Sequence, residues 1–455
     1  MRLPFVTPDD IRTRFSRAMS DMYQAEVPQY GTLLEIVAQT NAATMASDPA
    51  LKARLEAAGE IGRLNLERHG AIRLGTAEEL ATMARVFGVM GMVAVGYYDL
   101  SVAGIPVHST AFRPVDDAAL AANPFRVFTS LLRLELIKDE ALREEARAIL
   151  AARDIFTPRL RALLDLCDTE GGLEAARADE FVAEALETFR WHEAAPVSLA
   201  TYQRMHDAHR LIADVVCFRG PHINHLTPRT LDIDRTQDLM PAHGISPKDT
   251  IEGPPERRVM ILLRQTSFKA LEEQIRFADG DGTEAAGTHT ARFGEIEQRG
   301  VALTPKGRAL YDRLLGEVMA RTRKVSAEEY NRVLHQVFAA FPDEEAVLYA
   351  EDLAYFRYVA APGADRTAGR GKDLAALIGA GLVTLSPIVY EDFLPVSAAG
   401  IFQSNLGEGG ERDYGDENAA EREFIAALGA TPLDPFAMYE AARARSAREV
   451  LAAFA

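Results

Sequence analysis

Apolar positions recur at helical spacing from the start of the chain. In IRTRFSRAMSDMY they return every three or four residues, and LKARLEAAGEIGRLNLER is rich in strong helix formers, so residues 1–66 are expected to form an N-terminal helical segment. The period then shortens. Gly70-Ala-Ile-Arg-Leu74 alternates, Gly75-Thr76 punctuates, and AEELATMARVFGVMGM follows with Thr76 as N-cap and Glu79 three residues on, the spacing of a capping box. VAVGYYDL and IPVHSTAFRPV are strand-like, so residues 67–116 read as a compact strand-helix-strand-strand unit. Residues 117–214, with LREEARAILAAR, FTPRLRALLDL and ADEFVAEALETFRWHEA, read as a helical insertion. Strand chemistry resumes over 215–320 in PHINHLTPRTLDIDRTQDLM, RRVMILLRQTSFKALEEQIRF and THTARFGEIEQRGVAL, before Thr304-Pro305 opens a helix as N-cap and first-turn proline. The last part, 321–455, is mixed: a loop from Gly363 to Asp373, a strand-like GLVTLSPIVYEDFLPVS and a helical tail from Glu421.

The two strand-rich units share a sparse pattern. One opens His69-Gly-Ala-Ile-Arg73 and the other His225-Leu-Thr-Pro-Arg229, each followed by a helical stretch, as two copies of one supersecondary unit pairing into a single cup would be. In a strand, residues two and four apart share a face. His69, Ala71 and Arg73 therefore point one way, which is odd for a core strand and sensible for the wall of a polar pocket. His225, Thr227 and Arg229 repeat the arrangement, with Pro228 confining that strand to an edge or an early end. Phe293, Glu295, Glu297 and Arg299 alternate in a third segment, and either Glu could face the pocket. A single strand His is more often a satisfied core residue than a ligand. Two at matched positions, with a carboxylate in a third strand, form a set that leaves about three sites open on an octahedral ferrous ion, enough for a bidentate 2-oxo acid and dioxygen.

Composition narrows the setting. At 455 residues more than one lobe is expected, and 48% hydrophobic with 26% charged residues is ordinary for a globular protein. The net charge of -17 disfavours nucleic acid and anionic membrane surfaces, although a few local arginines can still hold a small acid. Cys167 and Cys217 stand alone in separate segments, which excludes a disulfide framework, a thiolate zinc site and an iron–sulfur cluster. MRLPFVTPDD lacks the apolar region of a signal peptide and no apolar run reaches about 18 residues, so a cytoplasmic, reducing setting is expected.

RHGAIRLGT, NHLTPRTLDID and FGEIEQRG together resemble the signature stretches of the 2-oxoadipate dioxygenase/decarboxylase family, the D-2-hydroxyglutarate synthases of bacterial lysine catabolism, and the likeness covers nearly the whole chain. The resemblance implies an α+β fold of the vicinal-oxygen-chelate type: paired β-α-β-β-β modules forming a metal cup, here with large helical additions. It implies Fe(2+) on His69, His225 and a Glu, with 2-oxoadipate and O2 as reactants and D-2-hydroxyglutarate and CO2 as products. A more distant likeness of Glu295-Ile-Glu-Gln-Arg299 to 4-hydroxyphenylpyruvate dioxygenases makes Glu295 the ligand and Glu297 the replacement for an apolar residue. Arg73 is the first choice for the substrate carboxylate, because guanidinium grips carboxylate bidentately. Arg264, Gln265 and Ser267 are secondary candidates for the substrate's other end. The family pattern also brings Val396 and Ser397 to the substrate.

Rival readings remain. The same triad fits an extradiol dioxygenase or a glyoxalase-like enzyme. RGVALTPKGRALYDRLL reads like the wing and helix of a DNA-binding repressor, against which stand the acidic net charge and the want of a recognition helix upstream. His206 and His209 share a helical side without a partner carboxylate, His222 falls on the opposite strand face from His225, and His108 reads as structural. Gly369-Arg-Gly371-Lys372 is no P-loop, since Asp373 stands where Ser or Thr should meet magnesium.

Overall fold

The computed structural model describes residues 5–270, 272–278, 284–322, 325–394 and 417–455. The chain divides into two units. The first comprises Met1–Lys248, Thr266–Ile296 and Pro395–Pro432; the second comprises Asp249–Gln265, Glu297–Leu394 and Leu433–Ala455.

Four helices open the first unit, Pro8–Glu26, Pro28–Ser47, Pro49–Ala57 and Glu60–Leu64, the first three each with a proline in the opening turn where its missing N–H costs nothing. The first strand unit then follows as expected: β1 (Arg68–Leu74), a helix Ala77–Val89, β2 (Val93–Asp99) and β3 (Val107–Arg113). Thr76 caps the helix by accepting from Glu79 N at 3.1 Å, while the Glu79 carboxylate reaches Gly75 N at 2.6 Å, one residue beyond a simple capping box. The stretch expected to be a helical insertion also carries strands. Residues 126–132 form a strand, β4, with all seven positions buried, so no alternation marks it. β4 lies between β1 and β3, parallel to β1 and antiparallel to β3, and completes a β-α-β-β-β module.

After a two-residue β5 (Ala194–Ala195), the second copy is less regular. β6 (Leu226–Pro228) ends at its proline and pairs antiparallel with β1, matching His69 with Thr227 and Gly70 with Leu226. Then come a helix Ile233–Leu239, β7 (Leu263–Ser267), β8 (Glu273–Ala278), β9 (Glu284–His289) and β10 (Glu295–Arg299). Among the described residues the first unit's main sheet has the order β2-β3-β4-β1-β6, β7 pairs with β10, and β5-β8-β9 form a third sheet. The fold is α+β, built on a paired-module sheet with large helical additions. Gly70 allows the edge pairing: a Cβ there would lie 2.5 Å from Ile223 Cδ1 and 3.3 Å from His225 O.

In the second unit, Thr304 caps the helix Pro305–Arg321, accepting from Gly307 N at 3.1 Å. That helix buries Tyr311, Leu314 and Val318 in a core with Phe338, Phe356 and Ile388, so the repressor-like motif is a core element. β11 (Phe356–Ala360) and β12 (Val383–Pro387) pair antiparallel, and Asp373 caps the helix Leu374–Gly379 rather than serving a phosphate loop.

Candidate active site

Among the described residues, two groups of His and carboxylate donors converge, His69–His225–Glu295 and Asp214–His222–His289, and all six side chains are buried. The first group joins three backbone segments. His69 is the second residue of β1, His225 immediately precedes β6, and Glu295 begins β10. Backbone bonds tie the three together: Asn224 N donates to Ala71 O at 3.0 Å, and Phe293 N donates to Asn224 O at 3.1 Å. Tyr23, from the first helix, shares its hydroxyl proton between Asn224 O (3.0 Å) and Phe293 O (2.8 Å), the carbonyls one residue before His225 and two before Glu295.

Both imidazoles direct Nε2 at one carboxylate oxygen. His69 Nε2 is 3.0 Å and His225 Nε2 3.6 Å from Glu295 Oε1, with the rings perpendicular and their centroids 5.3 Å apart. Thr227 Oγ1 donates to the same oxygen at 3.1 Å. Burial pushes His225 down to about 4, against the pull of Glu295. Burial opposes ionisation of Glu295, yet His225, His69 and the Lys248 ammonium together hold its carboxyl below the usual range. Two imidazoles and one carboxylate, with donor atoms all within 4.8 Å of one another, suit a divalent transition ion. Nδ1 of His225 is buried and has no hydrogen-bond partner among the described residues. The carboxylate of Glu297 is engaged elsewhere, bonding Arg299 Nε and Nη2 at 2.8 and 2.7 Å.

Arg73 shares a cleft with Ala71, Ser130, His225 and Phe293. Its Nη1 donates to Asp214 Oδ2 at 2.6 Å, and its side chain stays 19% exposed. Lys248, 5.6 Å from the Phe293 ring centroid, adds a second cation beside the triad. Arg229, which strand phase matched to Arg73, faces away from this cleft: it pairs with Glu60 at 2.9 Å and Glu67 at 3.1 Å. Arg264, Gln265 and Ser267 are buried on β7, and Gln265 bonds Glu252 at 3.2 Å. Val396 and Ser397 lie outside the described residues.

The other histidines have structural partners. His209 accepts from Leu211 N at 3.1 Å as a helix cap, and His206 is exposed. His108 packs against Phe424 with centroids 4.7 Å apart, and burial, then Arg133, pushes it down to about 4. Tyr23, Asp214 and Lys248 are the site residues that sequence reasoning missed. Nothing in their local pattern marks them.

A family model described as 2-oxoadipate dioxygenase/decarboxylase matches residues 15–405. A protein of that name from Escherichia coli is 58% identical over 447 residues, covering 97% of this chain and 98% of its own length. One from Pseudomonas putida is 59% identical over 449 residues, covering 97% and 96%. Among solved structures, the hydroxyglutarate synthase of Pseudomonas putida in complex with 2-oxoadipate matches with a TM-score of 0.91 and 56% identity, covering 99% of each chain.

Proposed function

The chain belongs to the 2-oxoadipate dioxygenase/decarboxylase family of enzymes, and from that membership we propose that it converts 2-oxoadipate and O2 to D-2-hydroxyglutarate and CO2 on Fe(2+). One diacid and one dioxygen supply every atom of the two products, so no external reductant is needed. The observation that carries the reading is the convergence of buried His69, His225 and Glu295, with His225 lining the same cleft as Arg73. These three residues would hold the iron. Once bound, a ferrous ion supplies the redox chemistry of O2 and a chelating site for the 2-oxo acid end.

The protein's own groups do the rest. Neutral imidazoles and one carboxylate leave a divalent ion with net positive charge, which favours an anionic ligand. Thr227 holds Glu295 in position through Oε1, and Tyr23 holds the backbone beside His225 and Glu295. Arg73 pairs with the carboxylate that the metal does not chelate, and Lys248 strengthens the local positive field against the chain's acidic balance. Phe293 and Leu211 keep water from the reacting end. Val396 and Ser397 would contact the substrate, with Arg264 and Ser267 as secondary contacts. Lysine catabolism in the cytoplasm is the setting this chemistry suits.

The test is oxygen uptake by the purified, iron-reconstituted chain with 2-oxoadipate, with chiral analysis of the 2-hydroxyglutarate and catechols as controls. His69→Ala, His225→Ala and Glu295→Ala should each abolish turnover. Unimpaired turnover in any of them, or uptake with catechol alone, refutes the assignment.

A further inference from the structure

Behind Arg73 stands a second buried constellation that the proposed metal site does not use. Asp214, on the helix Arg210–Val216, accepts from Arg73 through Oδ2 at 2.6 Å. Its other oxygen, Oδ1, lies 2.9 Å from His289 Nε2 and 3.2 Å from His222 Nε2. Tyr202 Oη lies 2.9 Å from His289 Nδ1. With Tyr202 donating to Nδ1, the Nε2 of His289 is the nitrogen that donates to Asp214. Trp191 packs edge-on to His222, centroids 4.7 Å apart, and lies parallel to His289 at 6.3 Å. Asp214 thus receives donors on both oxygens and is clamped by rings on one side.

A carboxylate so held has little freedom to follow a moving arginine. The flexible stem of Arg73 is therefore pinned at its Nη1 end, leaving the remainder of the fork along the cleft with His225 and Ser130. Arg73 is four residues along β1 from His69, so the pin also sets the span between the guanidinium and the metal-binding side chains. For a substrate chelated at one end, that span decides how many methylenes fit before the second carboxylate. We propose that Asp214, braced by His222 and His289, is a positioning residue that sets the diacid chain length the pocket accepts. The inference rests on the functional reading above, in which Arg73 takes the free carboxylate.

Two blander roles give different results. If Asp214 only supports the fold, its loss weakens all ligands alike. If it only lowers the positive potential, its loss strengthens all diacids alike. Only a ruler changes their ratio. The experiment measures anaerobic binding by calorimetry, and turnover, for 2-oxoadipate and its five- and seven-carbon homologues, with the iron-loaded wild type and Asp214→Asn. One methylene of misfit gives roughly 10- to 200-fold discrimination, so the wild type should prefer the six-carbon acid by that order, and the variant should bind all three within about threefold of one another. His289→Asn, which keeps an acceptor for Tyr202 and loses the bond to Asp214, should move the ratio in the same direction by less, and serves if Asp214→Asn does not fold.

A wild type without length preference, or variants whose preference is unchanged, overturns the proposal while leaving turnover of 2-oxoadipate intact. Length-selective binding without turnover overturns the functional reading and leaves the ruler standing. A wild type that binds none of the acids overturns both. Metal analysis closes the remaining route: two ions per wild-type chain and one in Asp214→Asn would make the Asp214 cluster a second metal site and overturn the ruler.

Discussion

Glu67→Gln tests what holds the two histidine-bearing segments in register. Glu67 precedes β1 by one residue and is fully buried. It accepts from Arg63 at 3.2 Å, Arg126 at 2.8 Å and Arg229 at 3.1 Å, and Arg229 also reaches Glu60 at 2.9 Å. Arg126 starts β4 and Arg229 directly follows β6, so one carboxylate joins the ends of three neighbouring strands. Burial works against the Arg229 charge, but Glu60 and Glu67 overcome it and hold its pKa above the ordinary value. Among these named side chains there are three guanidinium groups and two carboxylates. Replacing Glu67 with its neutral isostere removes the buried carboxylate that Arg63, Arg126 and Arg229 share.

Breaking a buried ion pair from one side costs about 3–5 kcal/mol, because the remaining charge keeps its desolvation penalty. For a unit of this size about 2 °C per kcal/mol is expected, hence a fall in Tm on the order of 5–10 °C. The metal-free chain, followed by calorimetry and by guanidinium titration, gives the number without stabilisation by bound ion. Glu67→Gln/Arg126→Met restores the charge difference of the wild type and should recover more than half of the loss. A loss below about 1 kcal/mol for Glu67→Gln, or a double variant less stable than the single, would refute the reasoning.

Glu295→Gln should lose stoichiometric iron, whereas Glu297→Gln should keep the iron and lose about 3 kcal/mol of stability by removing the carboxylate paired with buried Arg299; metal analysis beside denaturation distinguishes them. Arg73→Met should raise KM for 2-oxoadipate roughly 10- to 100-fold, the worth of a charged hydrogen bond, with little change for the monocarboxylate 2-oxohexanoate; equal losses for both acids would remove Arg73 from the binding role. His108, held at about 4 in the fold and near 6.5 when unfolded, is neutral in the native protein. Its contribution is therefore complete above pH 6.5 and is lost as pH falls from 6.5 towards 4, so His108→Gln should flatten the fall of Tm across that window, and an unchanged slope would count against it.

The parts of the fold legible in the sequence are those whose signals are local. The helix after β1 announces itself through Thr76 and Glu79, and the helix after Thr304 through its cap and proline. β4 carries no such signal. A strand covered on both faces has no period of two, and RVFTSLL between helical stretches reads as part of their apolar pattern. β6 is too short for any periodicity, and its place in the sheet comes from pairing with β1 through long-range hydrogen bonds. Strand phase alone could not separate Glu295 from Glu297, since both fall on one face. The neighbour two residues on does separate them: Arg299 stands beside Glu297 on that face and takes its carboxylate.

The repeat was instructive where it failed. Both copies keep a histidine whose ring converges on Glu295, and in the proposed function the two are equivalent because each would deliver one donor to a common centre. Their arginines have no such symmetry. In the proposed function a diacid chelated at one end would have one free carboxylate, for which one arginine beside the triad suffices. Arg73 faces the cleft with Asp214 behind it, while Arg229 has been drawn into the buried cluster of Glu60 and Glu67 that ties β6 to β1. The same His-x-x-x-Arg spacing thus puts an arginine in the cleft in one copy and a strand anchor in the other. What decides between them is the placement of carboxylates on other elements, Asp214 on a helix in the insertion and Glu67 just ahead of β1, which strand phase within either copy does not register.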